Sequence, residues 1–136
     1  MITVLYVENE DNDVLFMRRA FKLAGLEGCL RPLPDARSAM HYLTGQAPYG
    51  DRAAHPLPGL LLMDLNLPAI SGFELLSWLQ QQPEFNQLRI VIFSSSARSE
   101  DIKRAHELGA HDYFQKPTSG SQFVEIVQRL REKWLP

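Results

Sequence analysis

Residues 60–68 have the sequence LLLMDLNLP, in which four apolar residues lead into an acid, Asp64, and then into a turn with Asn66 and Pro68. A short apolar run bounded by turn residues is typical of a strand that is buried on both faces. Similar runs, rich in β-branched or aromatic residues, occupy residues 2–7, 90–93 and, more weakly, 113–114. The sequence therefore predicts a sheet of buried strands.

A fifth strand is predicted over residues 29–34, whose two prolines lack a backbone donor and confine it to an edge of the sheet. Apolar residues recur at helical spacing in residues 14–24 and 123–134. Another helix is predicted from about Ala36 to Leu43, and Ser71 begins a capping-box pattern. This alternation predicts an α/β fold, a doubly wound sheet of five parallel strands with helices on both faces.

Composition and charge exclude several classes of protein. The 136 residues carry 14 Lys+Arg against 16 Asp+Glu, a formal net charge of −2, and predict one domain over residues 1–136 with no output domain. The basic residues form no stripe, which argues against nucleic-acid binding. No apolar run approaches the roughly 20 residues of a membrane span, and no basic leader precedes the first strand. Since Cys29 is the single cysteine, we expect a cytoplasmic protein.

Polar side chains follow four of the predicted strands, namely Glu8, Asp64, Ser94 and Lys116. The carboxyl ends of parallel strands meet at one edge of a sheet, where sites of doubly wound folds lie. Neighbouring carboxylates repel one another unless a cation joins them, and hard oxygen ligands suit Mg²⁺. We therefore expect a magnesium and phosphoryl site, in which Asp64 is the nucleophile, Lys116 neutralises charge and Ser94 donates a hydrogen bond.

These residues resemble the receiver domain of bacterial two-component response regulators over nearly the full chain. The matching motifs are Val7-Glu8-Asn9, the Met63–Pro68 stretch, Ser94, Tyr113 and Lys116-Pro117. The resemblance implies a flavodoxin-like, three-layer α/β/α fold with strand order 2-1-3-4-5 and about five helices. It also implies that Asp64 accepts a phosphoryl group from a histidine kinase, and that Lys116 pairs with that group. The implied Mg²⁺ ligands are Glu8, Asn9, Asp64 and the backbone carbonyl of Asn66.

The family usually has two adjacent acids after the first strand, whereas this chain has Glu8 followed by Asn9. An amide oxygen of Asn9 could still reach Mg²⁺, and Glu10 or Asp11 could partly restore the lost charge. We therefore expect weaker Mg²⁺ affinity than the usual pair would provide.

The resemblance also implies a two-state switch. In the family, the hydroxyl at the Ser94 position moves toward the phosphoryl group, and the aromatic residue at the Tyr113 position swings inward. This motion reshapes the surface formed by the fourth helix, fifth strand and fifth helix. The alternative for Tyr113 is ordinary half-buried packing with its hydroxyl in water.

Residues 44–59 contain three prolines and three glycines, and exceed ordinary connections of about 2–6 residues. The segment is either a functional loop or an insertion without a function. A receiver with this insertion before its D-L-N-L-P motif resembles the single-domain regulators that pair with phytochrome-type histidine kinases. Homodimerisation through the fourth and fifth helices is also expected from the resemblance.

Two other functions compete with the receiver hypothesis. Asn9 is compatible with a pseudo-receiver, a binding module that has lost regulated phosphorylation. A small phosphohydrolase could also use Asp64 as a nucleophile, although Asn66 stands where a second catalytic acid would be needed. Taken singly, the acids after the first strand could be helix caps and Asp64 could be a turn residue.

Overall fold

A computed structural model describes residues 2–135 of the chain. Within these residues, five parallel strands form one sheet in the order β2-β1-β3-β4-β5, which confirms the predicted flavodoxin-like order. The strands are β1 (Val4–Val7), β2 (Leu30–Leu33), β3 (Leu60–Met63), β4 (Arg89–Ser94) and β5 (Asp112–Gln115). The proline-containing strand β2 lies at an edge, as expected for a strand with a missing donor.

In the described part of the chain, five α-helices alternate with the strands, as the periodicity predicts. They are α1 (Asp11–Leu23), α2 (Ala36–Thr44), α3 (Gly72–Gln80), α4 (Ser99–Glu107) and α5 (Phe123–Trp134). Short 3₁₀ turns occupy Pro83–Phe85 and Gly120–Gln122. The predicted cap of α3 is present, because the Ser71 side chain accepts a hydrogen bond from the Glu74 backbone at 3.2 Å. No helix within residues 2–135 is long and apolar enough to cross a membrane.

Strand alternation divides the core into two halves, one on each face of the sheet. In β1, Val4 and Tyr6 pack against α1 and α5, whereas Leu5 and Val7 pack against the apolar faces of α2 and α3. Val7 is in register with Met63 of β3, so these two strands end side by side. Register therefore places the residues that follow each strand at a common edge.

The long 44–59 segment has a packed structure of its own. The Arg52 guanidinium donates to the carbonyl oxygens of Tyr42, Leu43 and His55 at 2.8, 3.0 and 3.2 Å, and so caps the end of α2. The rings of Tyr42, Tyr49 and His55 pack together with centroid separations of 5.1 to 5.8 Å. The segment leads into the amino end of β3, whereas Asp64 follows its carboxyl end.

Candidate functional site

The carboxyl edge of the sheet collects the buried polar residues of the core. Within residues 2–135, the buried polar or charged residues are Glu8, Asp64 and Ser94, exposed by only 2%, 4% and 0%. Each lies at or directly after the end of a strand. Burying such groups is unfavourable unless they find partners, so their partners define the site.

Lys116 is the common partner of the acids. Its Nζ lies 2.7 Å from Glu8 Oε1, 2.7 Å from Asp13 Oδ2 and 2.9 Å from Asp64 Oδ2. Burial by itself would lower the pKa of Lys116, but the hydrogen bonds that its ammonium donates to Asp13, Glu8 and Asp64 raise it well above its usual value. The lysine is therefore a permanent cation, surrounded by three carboxylates that we call the acid cluster: Glu8, Asp13 and Asp64.

Glu8 is the most deeply held member of the acid cluster. Its carboxylate accepts hydrogen bonds from the Tyr6 hydroxyl at 3.3 Å and from the backbone N–H groups of Asn9 and Glu10 at 3.0 and 3.2 Å. Burial raises the pKa of Glu8, and the ion pair with Lys116 opposes that effect. Burial, and then the charge of Glu8, raise the pKa of Tyr6, which keeps its hydroxyl protonated as a donor.

Asp64 is fixed by the turn that follows β3. Its Oδ1 accepts a hydrogen bond from the Asn66 backbone at 3.2 Å, while its Oδ2 faces Lys116. Gly72 closes the turn, because its N–H donates to the Leu65 carbonyl at 2.9 Å. A Cβ at position 72 would lie only 2.4 Å from the Asp64 carbonyl oxygen, so this contact requires glycine.

Ser94 and Tyr113 form a second group beside the acid cluster. The Ser94 Oγ accepts a hydrogen bond from the Ser96 backbone at 3.3 Å, and the Tyr113 hydroxyl donates to the Ser96 carbonyl at 2.7 Å. Ser96 in turn donates from its Oγ to Asp101 of α4 at 2.6 Å. Tyr113 is half-buried, as the packing alternative expects. That alternative places the hydroxyl in water, whereas the hydroxyl is bonded to the loop between β4 and α4.

The structure brings three of the predicted site residues into direct contact. Glu8, Asp64 and Lys116 meet directly, whereas the residues Asn9, Glu10 and Asn66 are exposed. Asp11 is also exposed, and the acid of this segment that reaches Lys116 is Asp13. Sequence reasoning did not single out Asp13; its signal was an acid in the first turn of the helix that follows the strand-end loop, at the third residue of α1.

The oxygen ligands and the net charge of the acid cluster and Lys116 suit a divalent cation. Carboxylates and carbonyls are the hard oxygen ligands that Mg²⁺ prefers, and three carboxylates with one ammonium leave a net charge of −2 at this point. The carboxylates are arranged around Lys116: within residues 2–135, no group of three His, Cys, Asp or Glu side chains is already placed around a metal position.

This chain is similar to known proteins over most of its length. Residues 4–128 match the family model described as the response regulator receiver domain. A probable methanogenesis regulatory protein, FilR2 of Methanothrix harundinacea, is 28% identical over 97% of this chain and 83% of its own length. The response regulator Rcp1 of Synechocystis is 29% identical over 97% of this chain and 88% of its own length.

Solved structures share the fold. The red-light-signalling regulator RPA3017 of R. palustris superposes with a TM-score of 0.92 at 29% identity, covering 99% of this chain and 94% of that one. The phosphorylated cyanobacterial phytochrome response regulator RcpA gives 0.88 at 28% identity, covering 98% and 94%. The Mn²⁺-bound form of Rcp1 gives 0.86 at 28% identity, covering 99% and 95%. With its sheet order, its strand-end residues and a family match over residues 4–128, this chain belongs to the response regulator receiver domain family.

Proposed function

We propose that this protein is a two-component response regulator in which Asp64 accepts a phosphoryl group from a histidine kinase in a Mg²⁺-dependent reaction. The observation that carries the proposal is the position of the Asp64 carboxylate, 2.9 Å from Lys116 at the carboxyl edge of the sheet. The altered surface then signals by contact with a partner, or Asp64 passes the phosphoryl group to another histidine.

The chemistry follows from the charges at the site. A lone pair of the Asp64 carboxylate attacks phosphorus, the P–N bond to the kinase histidine breaks, and the imidazole leaves with the bonding electrons. Lys116 remains protonated and pairs with the phosphoryl oxygens, and the Ser94 hydroxyl donates a hydrogen bond to them. Glu8, Asn9, Asp64 and the Asn66 carbonyl are the proposed Mg²⁺ ligands, and bound Mg²⁺ supplies charge neutralisation at the phosphoryl oxygens.

The relatives support this assignment and suggest the input. RcpA is a phosphorylated phytochrome response regulator, Rcp1 binds Mn²⁺, and RPA3017 acts in red-light signalling. We propose a kinase of the phytochrome type as the phosphoryl donor of this chain. The single domain over residues 1–136, the cytoplasmic location, the lack of nucleic-acid and membrane binding, and a homodimer through α4 and α5 remain predictions.

A phosphorylation-independent pseudo-receiver is the second candidate. Two observations favour it: Asn9 provides an amide where the family has an acid, and the three carboxylates surround Lys116 instead of a metal position. In that case the protein binds its partner through the same fold without transfer of phosphorus.

Intact-mass measurement after incubation with acetyl phosphate and Mg²⁺ separates the two candidates. We expect the wild type to gain the mass of one phosphoryl group, Asp64→Ala to gain none, and Asp11→Ala, an exposed acid on α1, to behave as the wild type. Asn9→Asp tests the departure from the family. Labelling of Asn9→Asp but not of the wild type would establish the pseudo-receiver. Absence of labelling in both proteins would reject the phosphoryl site.

A further inference from the structure

Asp13 is the one member of the acid cluster that the family motif does not contain. We propose that Asp13 supplies the acidic oxygen that Asn9 lacks, and so serves as the second acid of the cation site, directly or through a bound water. This inference rests on the proposed Mg²⁺-dependent function and identifies which side chain makes it work in this chain.

The geometry places Asp13 beside the other two acids of the cluster. Asp13 is the third residue of α1, and its Oδ2 lies 2.7 Å from Lys116 Nζ, as close as the Glu8 oxygen. Oxygens of Glu8, Asp13 and Asp64 therefore converge on a single atom. Because Asp13 and Asp64 both contact the Lys116 ammonium, the Asp13 carboxylate is close enough to contact a metal ion that Asp64 binds.

Glu10 and Asp11, the neighbouring acids, differ from Asp13 in exposure. Glu10 and Asp11 are exposed, and among the contacts within residues 2–135 neither side chain reaches Lys116 or Asp64. Asp13 is better placed, since its side chain is 22% exposed and its carboxylate accepts a hydrogen bond from Lys116. Helix phase explains the difference: the third residue of α1 faces the strand ends, whereas the first residue faces solvent.

The charges of the site also favour Asp13 as the second acid. With Asn9 neutral, Glu8 and Asp64 balanced against Lys116 would leave a net charge of −1, and Asp13 brings this to −2. A divalent cation is balanced only in the second case. Asp13 therefore restores from the helix the charge that position 9 has lost.

The test is isothermal titration calorimetry with Mg²⁺ on the full chain, supported by Mn²⁺ electron paramagnetic resonance. We expect Asp13→Asn to raise the Mg²⁺ dissociation constant about tenfold or more. Asp11→Asn removes the same charge from an exposed position of the same helix, and we expect a change of less than about twofold. Asn9→Asp in the Asp13→Asn background should restore the constant to within about threefold of the wild type.

Several results would overturn the inference. These are no Mg²⁺ binding by the wild type, equal constants for Asp13→Asn and Asp11→Asn, or no rescue by Asn9→Asp. Asp13→Glu keeps the charge and should stay within about threefold of the wild type; a loss as large as that of Asp13→Asn would assign the effect to packing. Failure of the proposed function can be told apart from failure of this inference. Mg²⁺ binding that depends on Asp13, without phosphoryl labelling of Asp64, would support the inference and reject Asp64 as the phosphoacceptor.

Discussion

Lys116 is a single residue whose charge holds three others in place. Its side chain is 10% exposed, and those of Glu8 and Asp64 are 0% and 6% exposed. Replacing it by the apolar Lys116→Met would leave the acid cluster with no positive partner. Because an unpaired buried charge is strongly destabilising, we expect the free energy of unfolding to fall by about 3 kcal/mol in urea denaturation without Mg²⁺.

Lys133→Met provides the matched control. Lys133 also forms an ion pair, 3.0 Å from Asp112, but its side chain is 60% exposed. Water screens the exposed lysine, and Asp112, whose side chain is 16% exposed, keeps a hydrogen bond from Trp134, so we expect a loss below about 1 kcal/mol. Equal losses in the two lysine variants would mean that the buried cluster has no special role in stability.

At the scale of elements, the junction between β3 and α3 determines where Asp64 lies. An added Cβ at Gly72 would meet the Asp64 carbonyl oxygen at 2.4 Å and the Leu65 Cα at 2.7 Å, and backbone atoms cannot move away cheaply. We expect Gly72→Ala to lower the free energy of unfolding by about 1–3 kcal/mol. Displacement of Asp64 should also slow its labelling by acetyl phosphate in the fraction that remains folded.

Gly50→Ala is the comparison for that junction. A Cβ at Gly50 would meet its nearest atom, the Gly45 carbonyl oxygen, at 3.4 Å, and the position lies in the segment before β3. We expect wild-type labelling and a stability within about 0.5 kcal/mol of the wild type. Wild-type labelling kinetics in Gly72→Ala would contradict the role assigned to this glycine.

For the molecule as a whole, His111 links stability to pH. Burial and then the charge of Arg89 lower the pKa of His111 below its ordinary value of 6.5. Its Nδ1 accepts a hydrogen bond from the Ile90 backbone at 3.0 Å, which requires the neutral ring. The folded state therefore binds fewer protons than the unfolded state, so the stabilisation is complete above about pH 6.5 and is lost as pH falls through the lowered pKa.

Urea denaturation of the wild type and of His111→Gln, at pH about 7.5 and about 5.5, measures this contribution. We expect the difference in stability between the two proteins to shrink at the lower pH. Comparing the two proteins is necessary because burial raises the pKa of Glu8, and a raised acid pKa stabilises the fold as pH falls, in the opposite direction. A difference that does not change with pH would contradict the prediction for His111.

Much of the fold could be predicted from the sequence because the relevant signals are local. The LLLM run coincides with β3 at Leu60–Met63, and the two prolines placed β2 at the sheet edge. The predicted first strand began at Ile2, whereas β1 begins at Val4; Ile2 is 41% exposed and lies outside the buried run. The strand-end rule then brought Glu8, Asp64 and Lys116 together without knowledge of their contacts.

The sequence by itself determined the order of strands and helices, the edge at which the polar residues gather, and the family. Only the tertiary structure decided that Asp13, which is 103 positions from Lys116, joins the cluster while Asp11 stays in solvent. It also decided that Tyr113 is bonded to Ser96. The physical reason is that periodicity depends on neighbouring residues, whereas these contacts depend on the rotation of a helix and on the packing of distant segments.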